Sequence, residues 1–174
     1  MAAVGDRSDH GLTTWDRQRI LSECRTIAMV GLSANEYNAS AFAAIYLEAN
    51  GYDIVPVNPV HAGKREIFGK TVYADLAEAA QRHPRPIDIV DVFRPVAEAP
   101  GLAKEAVAIG ARVFWLQLDL ISPEAAAIAR AGGLEVVMDR CIKLEHARFF
   151  GGLHTIGLNT GIITSRLAMR LPEG

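Results

Sequence analysis

The stretch Ile27-Ala28-Met29-Val30-Gly31-Leu32-Ser33 reads as a buried strand that ends abruptly in a glycine turn. Its unbroken apolar run suits a strand covered on both faces. About one βα unit later, Pro56-Val57-Asn58-Pro59 closes the next strand in a turn that its prolines enforce. The two segments describe the carboxyl edge of a parallel sheet, where open α/β folds take nucleotide-like ligands. Gly31 allows a tight turn and a close backbone approach to a phosphate.

Outward from this edge the chain alternates strands and helices. An opening helix is predicted from about Thr14 to Cys24 with Ile20 and Leu21 inward, then strand one over Thr26 to Leu32. Helix one follows over Ser40 to Asn50. Its apolar positions Phe42, Ile45, Tyr46 and Ala49 recur at three and four residues and are expected to share a face. Gly51 stops it. Strand two is Asp53 to Val57, with Val72-Tyr73 a short strand and Asp75 to Ala80 a helical turn or two. Strand three covers Ile87 to Phe93, a helix Val96 to Ile109, and strand four Arg112 to Leu116. Ser122 with Pro123 opens a helix to Ala131, strand five is Leu134 to Met138, and Asp139 is expected to cap a last helix to Phe149. This alternation predicts an α/β fold: a single Rossmann-like domain over residues 14–150, with a mostly parallel five- to six-stranded sheet and helices on both faces. Residues 1–13 read as a disordered tail. Residues 151–174, with Gly151, Gly152, Gly157 and Gly161, read as an extension packed on the body.

Size and composition narrow the function. At 174 residues there is room for one core, and 50% hydrophobic with 22% charged residues is ordinary for a globular chain. A net charge of −2 without a Lys/Arg block gives no nucleic-acid footprint, and no apolar run is long enough to span a bilayer. Cys24 and Cys141 are too few for a disulfide scaffold, so a reducing cytoplasm is the expectation.

The strand ends deliver loops to one rim: residues 31–40, 58–64, 93–95, 117–119 and 139–141. The start of helix one offers free amides for an anion, and Ser33 and Ser40 could add hydroxyls. The nicotinamide fingerprint fits poorly. Gly31, Ser33 and Glu36 stand at the three glycine positions, and Asn58 replaces the ribose-binding acid. Asp53 lies at the right distance but at the wrong end of its strand.

An ordered set of motifs then resembles the small stand-alone CoA-binding proteins, Rossmann-like relatives of the CoA-binding domain of the succinyl-CoA synthetase alpha subunit. It comprises Val30-Gly31-Leu32-Ser33, Tyr46-Leu47 with Gly51-Tyr52, Pro56-Val57-Asn58-Pro59, and Ile67-Phe68-Gly69 before Val72-Tyr73. Asp88-Ile89-Val90-Asp91-Val92-Phe93-Arg94, Trp115-Leu116-Gln117 and Val136-Val137-Met138-Asp139-Arg140-Cys141 complete it. The resemblance implies coenzyme A or an acyl-CoA bound across the carboxyl edge. Gly31, Leu32, Ser33 and Ala34 would face the phosphates, Asn58 and Pro59 would flank the adenosine, and Phe93 and Arg94 would meet the ligand. Ser40, Lys64 and Gln117 complete the candidate set. The family often carries proline and arginine in the first loop, where this chain has Glu36-Tyr37-Asn38-Ala39-Ser40; Arg94, Lys64, Arg65 and Arg140 are candidate replacement cations.

The resemblance implies a carrier, sensor or regulatory module without catalysis of its own, with a protein partner unspecified. No catalytic histidine or second domain supports a ligase reaction by this chain alone. The alternatives are a small NAD(P)-dependent oxidoreductase and one component of a two-chain acyl-CoA ligase. Plainer readings stand beside several residues. Asp88 and Asp91, three apart on a strand, face opposite ways and suit hydrogen bonding at strand ends. Arg94 either binds phosphate or pairs with an acid, Gln117 either meets ligand or is solvated, and Trp115 reads as core. Cys141 near a helix start either has a lowered pKa and forms a mixed disulfide with CoA, or is inert. His154 to Gly161 reads as a lid, a partner contact or a packing segment.

Overall fold

Five short apolar runs pair side by side in parallel, in the order β2-β1-β3-β4-β5. The computed structural model describes residues 12–64 and 66–151. In it β1 spans Thr26–Val30, β2 Asp53–Val57, β3 Ile89–Val92, β4 Val113–Leu116 and β5 Glu135–Val137. The helices are α1 (Thr14–Glu23), α2 (Ala39–Ala49), α3 (Leu76–Arg82), α4 (Ala99–Ala108), α5 (Pro123–Ala131) and α6 (Ile142–Phe150). A 3₁₀ turn over Val96–Glu98 leads into α4. The isolated bridge Val57↔Tyr73 stands where a short strand is expected at Val72-Tyr73.

The register aligns the strand ends: Val30 sits opposite Val57 and Val92, and Val92 opposite Leu116. Alternate residues feed two cores. Ala28, Val55, Val90 and Phe114 pack with residues of α3, α4 and α5. Ile27, Met29, Ile89 and Trp115 pack with residues of α1, α2 and α6. The chain winds outward in both directions from β1 and β3, so the crevice between their carboxyl ends is the topological switch point.

Local chemistry sets the helix ends. Thr13 caps α1 in a reciprocal box with Asp16, while Leu12 packs against the core behind it. Asn38, Asp75 and Ser122 accept the first amides of α2, α3 and α5.

The face that Phe42, Ile45, Tyr46 and Ala49 share is the outer one. The buried side of α2 is Ser40, Ala41, Ala43, Ala44 and Leu47, whereas Phe42 and Ile45 are 53% and 45% exposed. Alanines let the helix lie close to the sheet, and the bulkier residues stand at its flank. There the Lys143 ammonium sits 5.2 Å from the Phe42 ring centre. Asp139 does not cap α6; Cys141 holds that position. Asp139 instead takes a left-handed backbone, φ 53°, and its Oδ1 accepts the Asp119 amide at 2.9 Å. This ties the loops after β4 and β5 together. Arg65 and the segment from Gly152 onward, including the stretch read as a lid, lie outside the described residues.

Candidate ligand site at the carboxyl edge

Gly31 ends β1 with φ +91° and donates its amide to the Val57 carbonyl at 2.8 Å. A β-carbon built there would lie 2.9 Å from Arg94 Cδ and 3.3 Å from the Phe93 carbonyl carbon. The missing side chain is therefore filled by Arg94, arriving from the end of β3. Arg94 donates from Nε to Glu98 Oε2 at 3.0 Å and from Nη2 to Oε1 at 2.8 Å. The aliphatic stem of Arg94 thus packs on the glycine turn while its guanidinium forks onto Glu98, engaging two of its five N–H donors among the described residues. The two sequence readings of Arg94, phosphate ligand and acid partner, are compatible.

The first loop is held by its own polar side chains. The Ser33 amide donates to Ser40 Oγ at 3.0 Å, and Ser40 Oγ donates to Asn38 Oδ1 at 2.9 Å. The Asn35 amide reaches Ser33 Oγ and the Tyr37 amide reaches Asn35 Oδ1, each at 3.1 Å. Ser40 is fully buried, so its hydroxyl shapes the loop instead of facing the rim. Leu32 is buried beneath the turn, while Ser33 and Ala34 are partly exposed. Asn58 clips the second loop to the first: its Nδ2 donates to the Leu32 carbonyl and its Oδ1 accepts the Val60 amide, both at 3.0 Å. Pro59 stands exposed beside it. Lys64 ends the second loop, exposed, with Nζ donating to the Val60 carbonyl at 3.1 Å.

The candidates on β3 and β4 separate. Phe93 is partly buried against the core. Gln117 is only 6% exposed and turns inward, donating from Nε2 to Asp91 Oδ1 at 2.7 Å. Asp91 is fully buried, and its Oδ2 has no hydrogen-bond partner among the described residues. Burial pushes its pKa up to about 8, opposed by the Gln117 bond. Asp88 acts as a strand-end acceptor, taking the Arg25 and Thr26 amides at 2.8 and 3.0 Å. Of the two readings of Cys141, the inert thiol fits its surroundings better. Burial raises its pKa, and the Leu144 and Lys143 amides oppose that only in part.

The structure adds a feature that sequence reading passed over. Tyr37, Val60, Val96, Leu118 and Ile121, from the loops after four strands, are 90%, 60%, 40%, 51% and 52% exposed. Bulky apolar residues inside turn segments were the available signal. Two cavities lie away from this rim. One of about 400 Å³ sits at the amino edge among Leu21, Arg25, Tyr52, His146 and Phe150. One of about 170 Å³ flanks β2 near Asp53 and His83. Asp53 is at the amino end of its strand and bonds His83 Nε2 at 2.9 Å, remote from any ribose at the carboxyl edge.

An all-parallel, doubly wound sheet with a glycine turn and a fixed guanidinium at its switch point defines a Rossmann-like α/β domain. Residues 25–147, from β1 into α6, match the CoA binding domain family, and the chain belongs to that family. It is 38% identical over 130 residues to YneT, an uncharacterised protein of Bacillus subtilis (strain 168), spanning 75% of this chain and 91% of that one. A hypothetical protein from Pyrococcus horikoshii OT3 superposes with a TM-score of 0.76 at 32% identity, covering 84% of this chain and 98% of that one. A Thermus thermophilus protein superposes at 0.73 and 32% identity, covering 80% of this chain and all (100%) of the other. No helix among the described residues is long and apolar enough to cross a membrane.

Proposed function

We propose that this protein binds coenzyme A or an acyl-CoA across the carboxyl edge, as a cytoplasmic carrier, sensor or regulatory module. The carrying observation is Arg94 packed on Gly31 at the switch point and paired with Glu98, in a member of the CoA binding domain family. Arg94 supplies the cation that the first loop lacks, so the diphosphate sits between it and the turn at Gly31 to Ala34. The adenosine lies beside Asn58 and Pro59, with Lys64 at the far end of that loop. The exposed apolar rim from Tyr37 to Ile121 suits an adenine ring and the apolar parts of the pantetheine arm. A binding role fits the side chains: Ser40, Asn58 and Gln117 spend their polar groups on holding the loops and strands.

Melting the protein with CoA and with NAD tests this. A ligand present at a hundred times its Kd adds about 2.7 kcal/mol of stability. CoA raises the melting temperature by several degrees and NAD leaves it unchanged. A shift with NAD and none with CoA overturns the proposal in favour of a nicotinamide-binding protein.

A further inference from the structure

A carboxyl group deep in a sheet, with one oxygen unpartnered, is costly unless something uses it. Asp91 is such a group. It lies on β3 between Met29 of β1 and Trp115 of β4 in register, one residue short of the strand end. Its Oδ1 is taken by Gln117, and its Oδ2 has no partner among the described residues. Trp115, the register neighbour of Asp91 on β4, donates its indole N–H to the Arg140 carbonyl at 2.7 Å, which brings Cys141, at the head of α6, to the same side of the sheet. We propose that Asp91, oriented by Gln117 beside Cys141, donates a hydrogen bond from Oδ2 to the thioester carbonyl of an acyl-CoA, so that the site prefers acylated over free coenzyme.

The inference rests on the CoA reading and deepens it. The sheet order gives the direction. With the diphosphate at the end of β1 and the adenosine at β2, the pantetheine arm has only β3, β4 and β5 left to cross. Adjacent strands are about 4.8 Å apart, so β4 and β5 lie roughly 10 and 14 Å from β1, within reach of that arm. The arm's sulfur end therefore arrives over Phe93, Gln117 and Cys141. Phe93 and Cys141, on that path, are both partly exposed.

Hydrogen-bond inventory then names the ligand group. Because Oδ1 accepts from Gln117, the proton of the neutral acid resides on Oδ2, which is a donor. A thioester carbonyl is a full acceptor and a thiol sulfur a weak one. The neutral form is the resident one at neutral pH, since burial moves Asp91 to about 8. Few other charges face it. Met29 and Trp115 flank it in the sheet, and the buried side of α2 carries no charged residue. The buried charges of α1 and α6 answer one another: Glu145 Oε2 accepts from Arg17 at 2.7 Å and from Arg148 at 3.0 Å. Cys141 is the titratable neighbour, and its raised pKa keeps it a thiol in the same range.

Calorimetric titration of acetyl-CoA and of free CoA, at pH 6.5 and 9.5, tests this on the wild type, Asp91→Asn and Asp91→Leu. One added hydrogen bond favours acetyl-CoA about tenfold at pH 6.5. The preference vanishes at pH 9.5, where Asp91 is ionised. Asp91→Asn keeps an N–H donor and an oxygen for Gln117, so it retains the preference at both pH values. Asp91→Leu binds both ligands alike. Equal affinity of the wild type for the two ligands at pH 6.5, or a preference that persists at pH 9.5, overturns the assignment even if Asp91→Leu does not fold. Failure of either ligand to bind at either pH defeats the CoA reading itself, a separate result.

Discussion

Arg94 owes its position to the hydrogen that Gly31 carries in place of a side chain. Replacing Gly31 by Ala adds a methyl 2.9 Å from Arg94 Cδ and 3.3 Å from a backbone carbon, on a residue held at φ +91°. Such strain costs about 1–3 kcal/mol. Urea unfolding of Gly31→Ala is expected to show that loss, and the displaced guanidinium weakens CoA binding as well. Arg94→Met separates the two effects. The Arg94–Glu98 pair is 38% and 43% exposed at its two ends, so breaking it costs under about 1 kcal/mol. On the proposed CoA reading, affinity nevertheless falls by roughly tenfold or more, because Arg94 would there make a charged hydrogen bond to phosphate. Equal losses of affinity and stability in Arg94→Met would count against a ligand role. Phe93-Arg94 was legible in the sequence as a strand-end motif. Pairing with an acid was one of the two readings of Arg94, but Glu98 as that acid was not legible, because the contact forms only once Val96–Glu98 curls into a 3₁₀ turn.

At the scale of elements, strand positions were legible to within a residue or two, because each strand is an apolar run bounded by turn residues. The orientation of α2 was not. Ala39–Ala49 is apolar nearly all round, so periodicity gives it no direction. Size decides: the small residues face the sheet, and Phe42 and Ile45 do not. Asp139 misled for a related reason. Its side chain was more useful between two loops than on a helix, and only the loop geometry after β4 shows it. What holds α6 was likewise invisible, because its partners lie far apart in sequence. Glu145, 1% exposed, takes hydrogen bonds from Arg17 of α1 and Arg148 of α6. Removing Glu145 from this buried ion cluster takes the carboxylate from both guanidiniums, and breaking such a cluster costs about 3–5 kcal/mol. Glu145→Ala is expected to lose that much in denaturant unfolding. A loss below 1 kcal/mol would mean that water or other groups take over both guanidiniums.

Across the whole molecule, two buried titratable groups give stability opposite slopes with pH. Asp91 ionises near its ordinary 3.8 in the unfolded chain but only at about 8 in the fold. Between those values the native state holds a proton that the unfolded chain has released. Stability from this group is complete below about pH 4, declines as pH rises, and levels off above about 8. His146 acts in the other sense. Burial lowers its pKa below the ordinary 6.5, so the unfolded chain takes up a proton that the fold refuses, and stability is lost as pH falls through that region. The two slopes partly cancel on the acid side, and a wild-type curve alone therefore does not resolve them. Asp91→Asn isolates one. The amide has the shape of the neutral acid, retains an oxygen for Gln117 and cannot ionise. Its stability relative to wild type should climb steadily from pH 4.5 to about 8 and then stay constant, read from urea unfolding at half-unit intervals without ligand. Parallel curves for the two proteins would show that Asp91 ionises at its ordinary value inside the fold. In that case water reaches the centre of the sheet, and Oδ2 is an acceptor and not a donor.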